Sequence, residues 1–242
     1  MSTIEIKNLC KSYVGKDDLV LNNLNLSVEK GERYGLFGSN GAGKTTLISI
    51  ISGTLRYTSG SVKVFDTELK KNWSSIKHKI GIVPQENAFY EQLTAIENLS
   101  FFGKMYKIPK IELANRMDEL IADFGMESYA KKRAVSYSGG MKRKLNLALG
   151  VLHKPELLIL DEPTVGVDVK SKSNINEYLL ALNKKEQTTF FYTSHMMDEA
   201  QLLCSHIGIL KDGGITKKAK TAEFLAAHKN TNMENIMMNI LD

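Results

Sequence analysis

The chain has 242 residues, 43% hydrophobic and 24% charged, a balance that excludes a disordered tail, a collagen-like repeat and a coiled-coil rod. Its 32 Lys and Arg against 27 Asp and Glu give a net charge of +5, which suits nucleic acid, polyphosphate or anionic lipid equally. No run approaches the roughly 20 apolar residues of a membrane span, because the best stretch, Leu145 to Leu160, is broken by Asn146, His153, Lys154, Pro155 and Glu156; the start lacks the basic-then-apolar pattern of a signal peptide.

Thr3-Ile4-Glu5-Ile6-Lys7-Asn8-Leu9 alternates and predicts a half-buried strand. Leu24 to Val28 alternates too, and Glu29-Lys30-Gly31-Glu32 follows as a turn. Tyr34 to Phe37 predicts a short strand that runs into a glycine-rich loop, then an apolar helix over Thr45 to Ser52. Ser61 to Phe65 predicts another strand after Thr58-Ser59-Gly60. From about Thr94 to Gly150 the character changes. Glu97 to Phe102 and Ile111 to Phe124 have helical spacing, with Pro109 between them. Leu157 to Leu160 is continuously apolar, as a buried parallel strand is. Thr188 to Tyr192 and His206 to Leu210 are two further strands, and Lys211-Asp212-Gly213-Gly214 reads as a hairpin turn. The tail after Lys229 is polar with scattered Met and Ile and predicts no element. Strands alternating with helices imply an α/β core with a mostly parallel sheet, whose ligands sit at the carboxyl ends of the strands. Cys10 and Cys204 lack CxxC spacing and read as two reduced thiols of a cytosolic protein.

Gly38-Ser39-Asn40-Gly41-Ala42-Gly43-Lys44-Thr45 fits GxxxxGK[ST] without a mismatch. Its glycines let several backbone N–H groups turn toward phosphate oxygens. The following helix offers its positive N-terminus to the same anion. Lys44 reaches the β- and γ-phosphates, and the Thr45 hydroxyl ligates Mg²⁺. A second acidic station follows at Leu157-Leu158-Ile159-Leu160-Asp161-Glu162. Asp161 is placed for the Mg²⁺ shell through water and Glu162 to polarise an attacking water; a solvated pair at a strand terminus is the plain alternative.

Ser138-Gly139-Gly140-Met141 opens a helix carrying Lys142, Arg143 and Lys144. By itself this is a turn and a helix cap. The ordered set is more specific: phosphate loop, Val83-Pro84-Gln85, Tyr137-Ser138-Gly139-Gly140-Met141, Leu160-Asp161-Glu162, Val167-Asp168, Thr193-Ser194-His195. From about Ile4 to Ile215 it resembles the ATP-binding subunit of an ABC transporter, most like bacterial exporters of the drug, antibiotic or sodium type.

That resemblance implies a P-loop NTPase (RecA-like) core, an N-terminal antiparallel β-subdomain and an inserted α-helical subdomain over about 90–150. The whole chain is then one ABC ATP-binding domain, with a short C-terminal extension over about 216–242. ATP and Mg²⁺ are the implied cofactors. Tyr13 matches the aromatic that stacks on adenine. The phosphate-loop residues Gly38, Ser39, Asn40, Gly41, Ala42, Gly43, Lys44, Thr45 and Thr46 hold the phosphates. Gln85 matches the glutamine that touches Mg²⁺ and the attacking water and relays to the membrane subunit. Asp168 matches the aspartate that links opposing sites, and His195 the histidine that contacts the γ-phosphate. Ser138, Gly139 and Gly140 bind the γ-phosphate of ATP held by a second copy. Tyr137 stands where Leu is usual, and Met141 where Gln is usual.

The function implied is an ATPase subunit, cytoplasmic and peripheral on the inner face of the membrane. It dimerises around ATP and powers a separate permease, in the export direction. An importer ATPase, a soluble ABC ATPase acting on nucleic acid or ribosomes, and a regulator without turnover stand as alternatives. Nucleic acid is not the expected partner: there is one cassette and no heptad stretch. Lys131-Lys132-Arg133 and Lys142-Arg143-Lys144 flank the signature, where phosphate or membrane-subunit contacts account for them. His78, His153, His206 and His228 match no motif and read as surface or packing residues.

Overall fold

The computed structural model describes residues 1–13, 15, 18–194 and 201–227. The first elements are β1 (Ser2–Ser12), β2 (Leu19–Glu29), β3 (Arg33–Phe37), α1 (Lys44–Ile51), β4 (Ser59–Val64), β5 (Thr67–Glu68) and α2 (Leu69–Ile76). Then come β6 (Ile80–Val83), α3 (Ala95–Met105), α4 (Lys110–Asp123), α5 (Gly139–Val151), β7 (Leu157–Asp161) and α6 (Val169–Glu186). The last described are β8 (Thr189–Thr193), β9 (His206–Lys211), β10 (Gly214–Lys220) and α7 (Thr221–Ala227). They fall into two compact units, Met1–Lys77 with Gln187–Asp242, and His78–Glu186.

The first unit holds an antiparallel sheet of order β2-β1-β4-β5. The alternation of β1 buries Ile4 and Ile6, but Leu9 is also buried although it stands at the wrong parity. A bulge restores it: the register shifts between Ile6 and Leu9, and Asn8 takes φ +49. Asn23 does the same on β2, at φ +47, and both Leu21 and Leu24 face inward. Asparagine tolerates this left-handed conformation better than other side chains do.

The same unit carries β3 between β8 and β9, parallel to both, with β10 antiparallel to β9. Tyr34, Leu36 and Phe37 are fully buried, as a central parallel strand requires. The β9–β10 hairpin turns on Asp212 (φ +49) and Gly213 (φ +75), two positive values in succession, as a type I′ turn demands. The hairpin predicted from Lys211 to Gly214 is therefore present. At the far end of α1, Gly53 takes φ +70; a Cβ there would lie 2.6 Å from Cδ2 of Trp73 in α2. The indole ring covers that helix end.

The second unit pairs β6 with β7 in parallel register, Ile80 opposite Leu157 through Val83 opposite Leu160. Leu157 to Leu160 are all fully buried, which matches their unbroken apolar run. Thr94 and Glu97 form a reciprocal cap on α3: Thr94 Oγ1 accepts from the Glu97 N–H at 3.1 Å, and Glu97 Oε2 from the Thr94 N–H at 2.8 Å. The Thr94 N–H holds the Glu97 carboxyl below its ordinary pKa. Pro109 caps α4 and divides the two helices as predicted. No helix among the described residues is long and apolar enough to cross a membrane.

Candidate active site

The phosphate loop belongs to the first unit. It leaves β3 at Phe37 and enters α1 at Lys44. Gly38 tolerates no side chain, since a Cβ would meet the Leu210 carbonyl oxygen at 2.6 Å. Gly41 and Gly43 take φ +84 and +107, and Gly43 also abuts Leu21, so L-residues are excluded on two grounds at Gly43. The Ala42 N–H donates to the Ser39 carbonyl at 3.2 Å and closes the turn. Lys44 is only 8% exposed, and its ammonium donates to the Gly38 and Ser39 carbonyls at 2.7 and 3.0 Å. The loop thus curls around its own lysine. No side chain caps α1, so its first-turn N–H groups remain suited to an anion. Tyr13 lies beside this loop: its hydroxyl is 3.1 Å from that of Thr46, and Lys11 Nζ sits 4.9 Å from the ring centroid. The ring is 39% exposed.

The second unit gathers Gln85, Asp161 and Glu162 at the carboxyl ends of β6 and β7. Gln85 Nε2 donates to Glu162 Oε2 at 3.1 Å. Glu162 takes φ +45, a left-handed backbone that costs a non-glycine residue about 1–2 kcal/mol. The strand therefore ends in an abrupt turn that throws the carboxylate toward Gln85. Beneath both segments lies α5. Asn146 on that helix donates to the Pro84 and Glu86 carbonyls at 3.1 and 3.3 Å and accepts from the Ala88 N–H at 3.1 Å.

The start of α5 carries the signature. Ser138 is its N-cap, with Oγ accepting from the Met141 N–H at 3.3 Å. Gly140 packs closely on α6: a Cβ would lie 2.8 Å from Ser171 Oγ and 2.9 Å from Asp168 Oδ2, and both side chains would have to shift. Asp168 caps α6, accepting from the Ser171 N–H at 3.0 Å, and that hydrogen bond holds its carboxyl below the ordinary aspartate range. The signature turn and Asp168 are thus neighbours. His195 and His228 lie outside the described residues. His153 is a packing residue: it stacks on Tyr106 at 3.9 Å, Nε2 contacts the Ile80 carbonyl at 3.1 Å, and burial pushes its pKa down to about 4. His78 is exposed, and His206 lies 3.2 Å from Glu32.

The family model described as ABC transporter matches residues 21–165. The chain belongs to that family. Its identity to the linearmycin resistance ATP-binding protein LnrL of Bacillus subtilis (strain 168) is 45% over 210 residues, covering 87% of this chain and 67% of that protein. With the bacitracin transport ATP-binding protein BcrA of Bacillus licheniformis it is 37% over 219 residues, covering 90% and 70%. A solved dimer of the ATP-binding cassette MJ0796 in a post-hydrolysis state, bound to ADP and Pi, superposes with TM-score 0.82 at 26% identity, covering 90% of this chain and 98% of that one. This ABC cassette is accordingly an ATP-binding P-loop ATPase of the α/β class, with antiparallel and parallel sheets.

Two residues of the cassette have larger parts than their sequence context suggested. Arg143, expected to serve phosphate or membrane-subunit contacts, is instead an interior residue, 5% exposed, bonded to main-chain carbonyls. Lys142 pairs with Glu91 at 2.6 Å. Tyr137, where Leu is usual, is buried. Its hydroxyl accepts from the Ala95 N–H at 3.3 Å and faces the Tyr129 and Lys132 carbonyls at 3.0 and 3.1 Å. Burial raises the pKa of its phenol. Tyr137→Phe strands these partners and is expected to cost about 1–3 kcal/mol in urea unfolding, with ATP affinity unchanged by calorimetric titration.

Proposed function

We propose that the chain is the ATP-hydrolysing subunit of an exporter whose permease is a separate polypeptide, and that two such subunits close around ATP. The observation that carries this reading is the Gln85–Glu162 contact at the strand ends, seated over the helix that opens with Ser138-Gly139-Gly140. A glutamine held against a carboxylate is what positioning a hydrolytic water needs. The roles in the names of LnrL and BcrA, linearmycin resistance and bacitracin transport, favour export over import.

In this reading Gly38 to Thr46 and the Lys44 ammonium hold the phosphates, and Tyr13 stacks on adenine. The Thr45 hydroxyl, the Gln85 amide oxygen and the Asp161 carboxylate are the hard oxygen donors that Mg²⁺ takes, one or two at a time, alongside phosphate oxygens. When bound, the ion neutralises charge on the transferring group. Ser138, Gly139 and Gly140 of a second copy close on the γ-phosphate and exclude water. Glu162 takes a proton from the attacking water as its oxygen bonds to the γ-phosphorus and ADP leaves. Lys44 and His195 stabilise the charge that develops. Asp168 links opposing sites, and Gln85 with the helices from about 90 to 150 passes the closure to the permease on the inner face of the membrane.

Affinity purification of the tagged chain from detergent-solubilised membranes is expected to recover a multi-span protein. Recovery from the soluble fraction alone, together with a salt-dependent gel shift on DNA or RNA, overturns the transporter reading.

A further inference from the structure

We infer that Arg143 is a positioning residue for hydrolysis, holding in register the two chain segments from which Gln85 and Glu162 project. The inference rests on the reading of those two side chains given above. Arg143 lies on the buried face of α5, one turn before Asn146. Its Nη1 donates to the Pro84 and Gln85 carbonyls at 2.7 and 3.1 Å. Its Nη2 donates to the Asp161 and Glu162 carbonyls at 3.0 and 2.9 Å. Its Nε donates to the Pro163 carbonyl.

A guanidinium carries five N–H groups in a rigid plane. Here they meet carbonyls from both segments, 84–85 after β6 and 161–163 around the end of β7. One side chain therefore ties together two strand ends that have no covalent link nearer than the whole of α3 to α5. The fixed fork geometry sets their separation, and the Gln85–Glu162 contact of 3.1 Å depends on that separation. It also grips the carbonyl of Glu162, the residue whose backbone is in the left-handed region. Released from Nη2, that residue has an unstrained alternative that aims the carboxylate elsewhere. Lysine cannot substitute, because its ammonium is a point donor with three protons and no plane. Arg143 acts through the two side chains whose backbone it holds.

The test compares Arg143→Met, Arg143→Lys, Gln85→Ala, the Arg143→Met/Gln85→Ala double variant and Glu162→Gln in the full chain. ATP turnover, ATP affinity by calorimetric titration and thermal unfolding are measured for each. Arg143→Met is expected to lower kcat about a hundredfold, the effect of displacing catalytic groups by an ångström, with ATP affinity within about threefold of the parent. Arg143→Lys is expected to lose at least about tenfold in kcat while remaining folded, and it carries the test if the Met variant does not fold. In the double variant the two losses are expected to overlap, falling well short of their product. A parental kcat in Arg143→Lys, losses that multiply, or an affinity that falls in parallel with kcat each overturn the inference. A Glu162→Gln variant with parental turnover overturns the underlying reading instead, so the two failures are distinguishable.

Discussion

Glu162→Gln is expected to lower kcat about a thousandfold, near the middle of the range for loss of a general base, equivalent to about 4 kcal/mol in activation free energy. The same variant is expected to accumulate as a dimer in the presence of ATP and Mg²⁺. The substitution is nearly isosteric. Its amide oxygen can still accept from Gln85 Nε2, so the 3.1 Å contact survives and only basicity is lost. The left-handed backbone at this position, φ +45, asks the same of Gln as of Glu. ATP binding is untouched, because the phosphate loop is built from other residues. A site that binds but cannot cleave keeps its γ-phosphate, and the second copy's Ser138-Gly139-Gly140 stays engaged. Phosphate release and size-exclusion chromatography with light scattering check both halves. A monomer at saturating ATP counts against the shared-site arrangement.

Lys44→Ala is expected to weaken ATP binding about a hundredfold, equivalent to about 2.7 kcal/mol. The lysine supplies a buried positive charge and also closes the loop by donating to the Gly38 and Ser39 carbonyls. Alanine removes the charge and leaves those carbonyls to repel phosphate oxygens. The helix itself survives, since alanine is the best helix former and this is the first residue of α1. The free protein should therefore unfold at nearly the parental temperature, whereas the stabilisation that saturating ATP gives the parent, about 2.7 kcal/mol at a hundred times Kd, should vanish. Calorimetric titration reads the affinity directly, and an unchanged Kd removes Lys44 from the binding site.

How much of this was legible in the chain depends on whether the cause was local. Leu157 to Leu160 announces a buried strand because every residue is apolar, and Asp212-Gly213 announces a type I′ turn because both must take positive φ. The phosphate loop is contiguous, so its chemistry could be read from eight adjacent letters. β6 carries no such signal: it is four residues long and has Gly81 as its second residue. That glycine answers to a distant neighbour, since a Cβ would fall 2.2 Å from the Gly150 carbonyl oxygen. β10 is signalled only by the hairpin turn before it, since Lys217, Lys218 and Lys220, charges that suit an edge strand, leave no apolar alternation to mark its length. α2 buries only Leu69 and Ile76, too few apolar positions to show a period, and Asn72 departs from helical geometry within it.

The same distinction divides the site. Gln85, Glu162 and the Ser138 turn were legible as short patterns in order. Arg143 was not. It sits between Lys142 and Lys144, so its run reads as one that serves phosphate or membrane-subunit contacts, whereas its guanidinium donates to carbonyls 18 to 59 residues away. Main-chain carbonyls carry no residue identity, so hydrogen bonds to them leave no complementary letter elsewhere in the sequence. Tyr137 is a similar case, its hydroxyl meeting the backbone at Ala95, Tyr129 and Lys132.

The indole that covers Gly53 has a practical consequence. Trp73 is the chain's single tryptophan, and the nine tyrosines do not absorb at the red edge of its band. Emission excited there comes from one place, the end of α1 opposite Lys44. The protein thus carries an intrinsic fluorophore packed against the far end of the helix that begins at the phosphate loop, a label-free optical channel through which loading of that loop can be followed in real time.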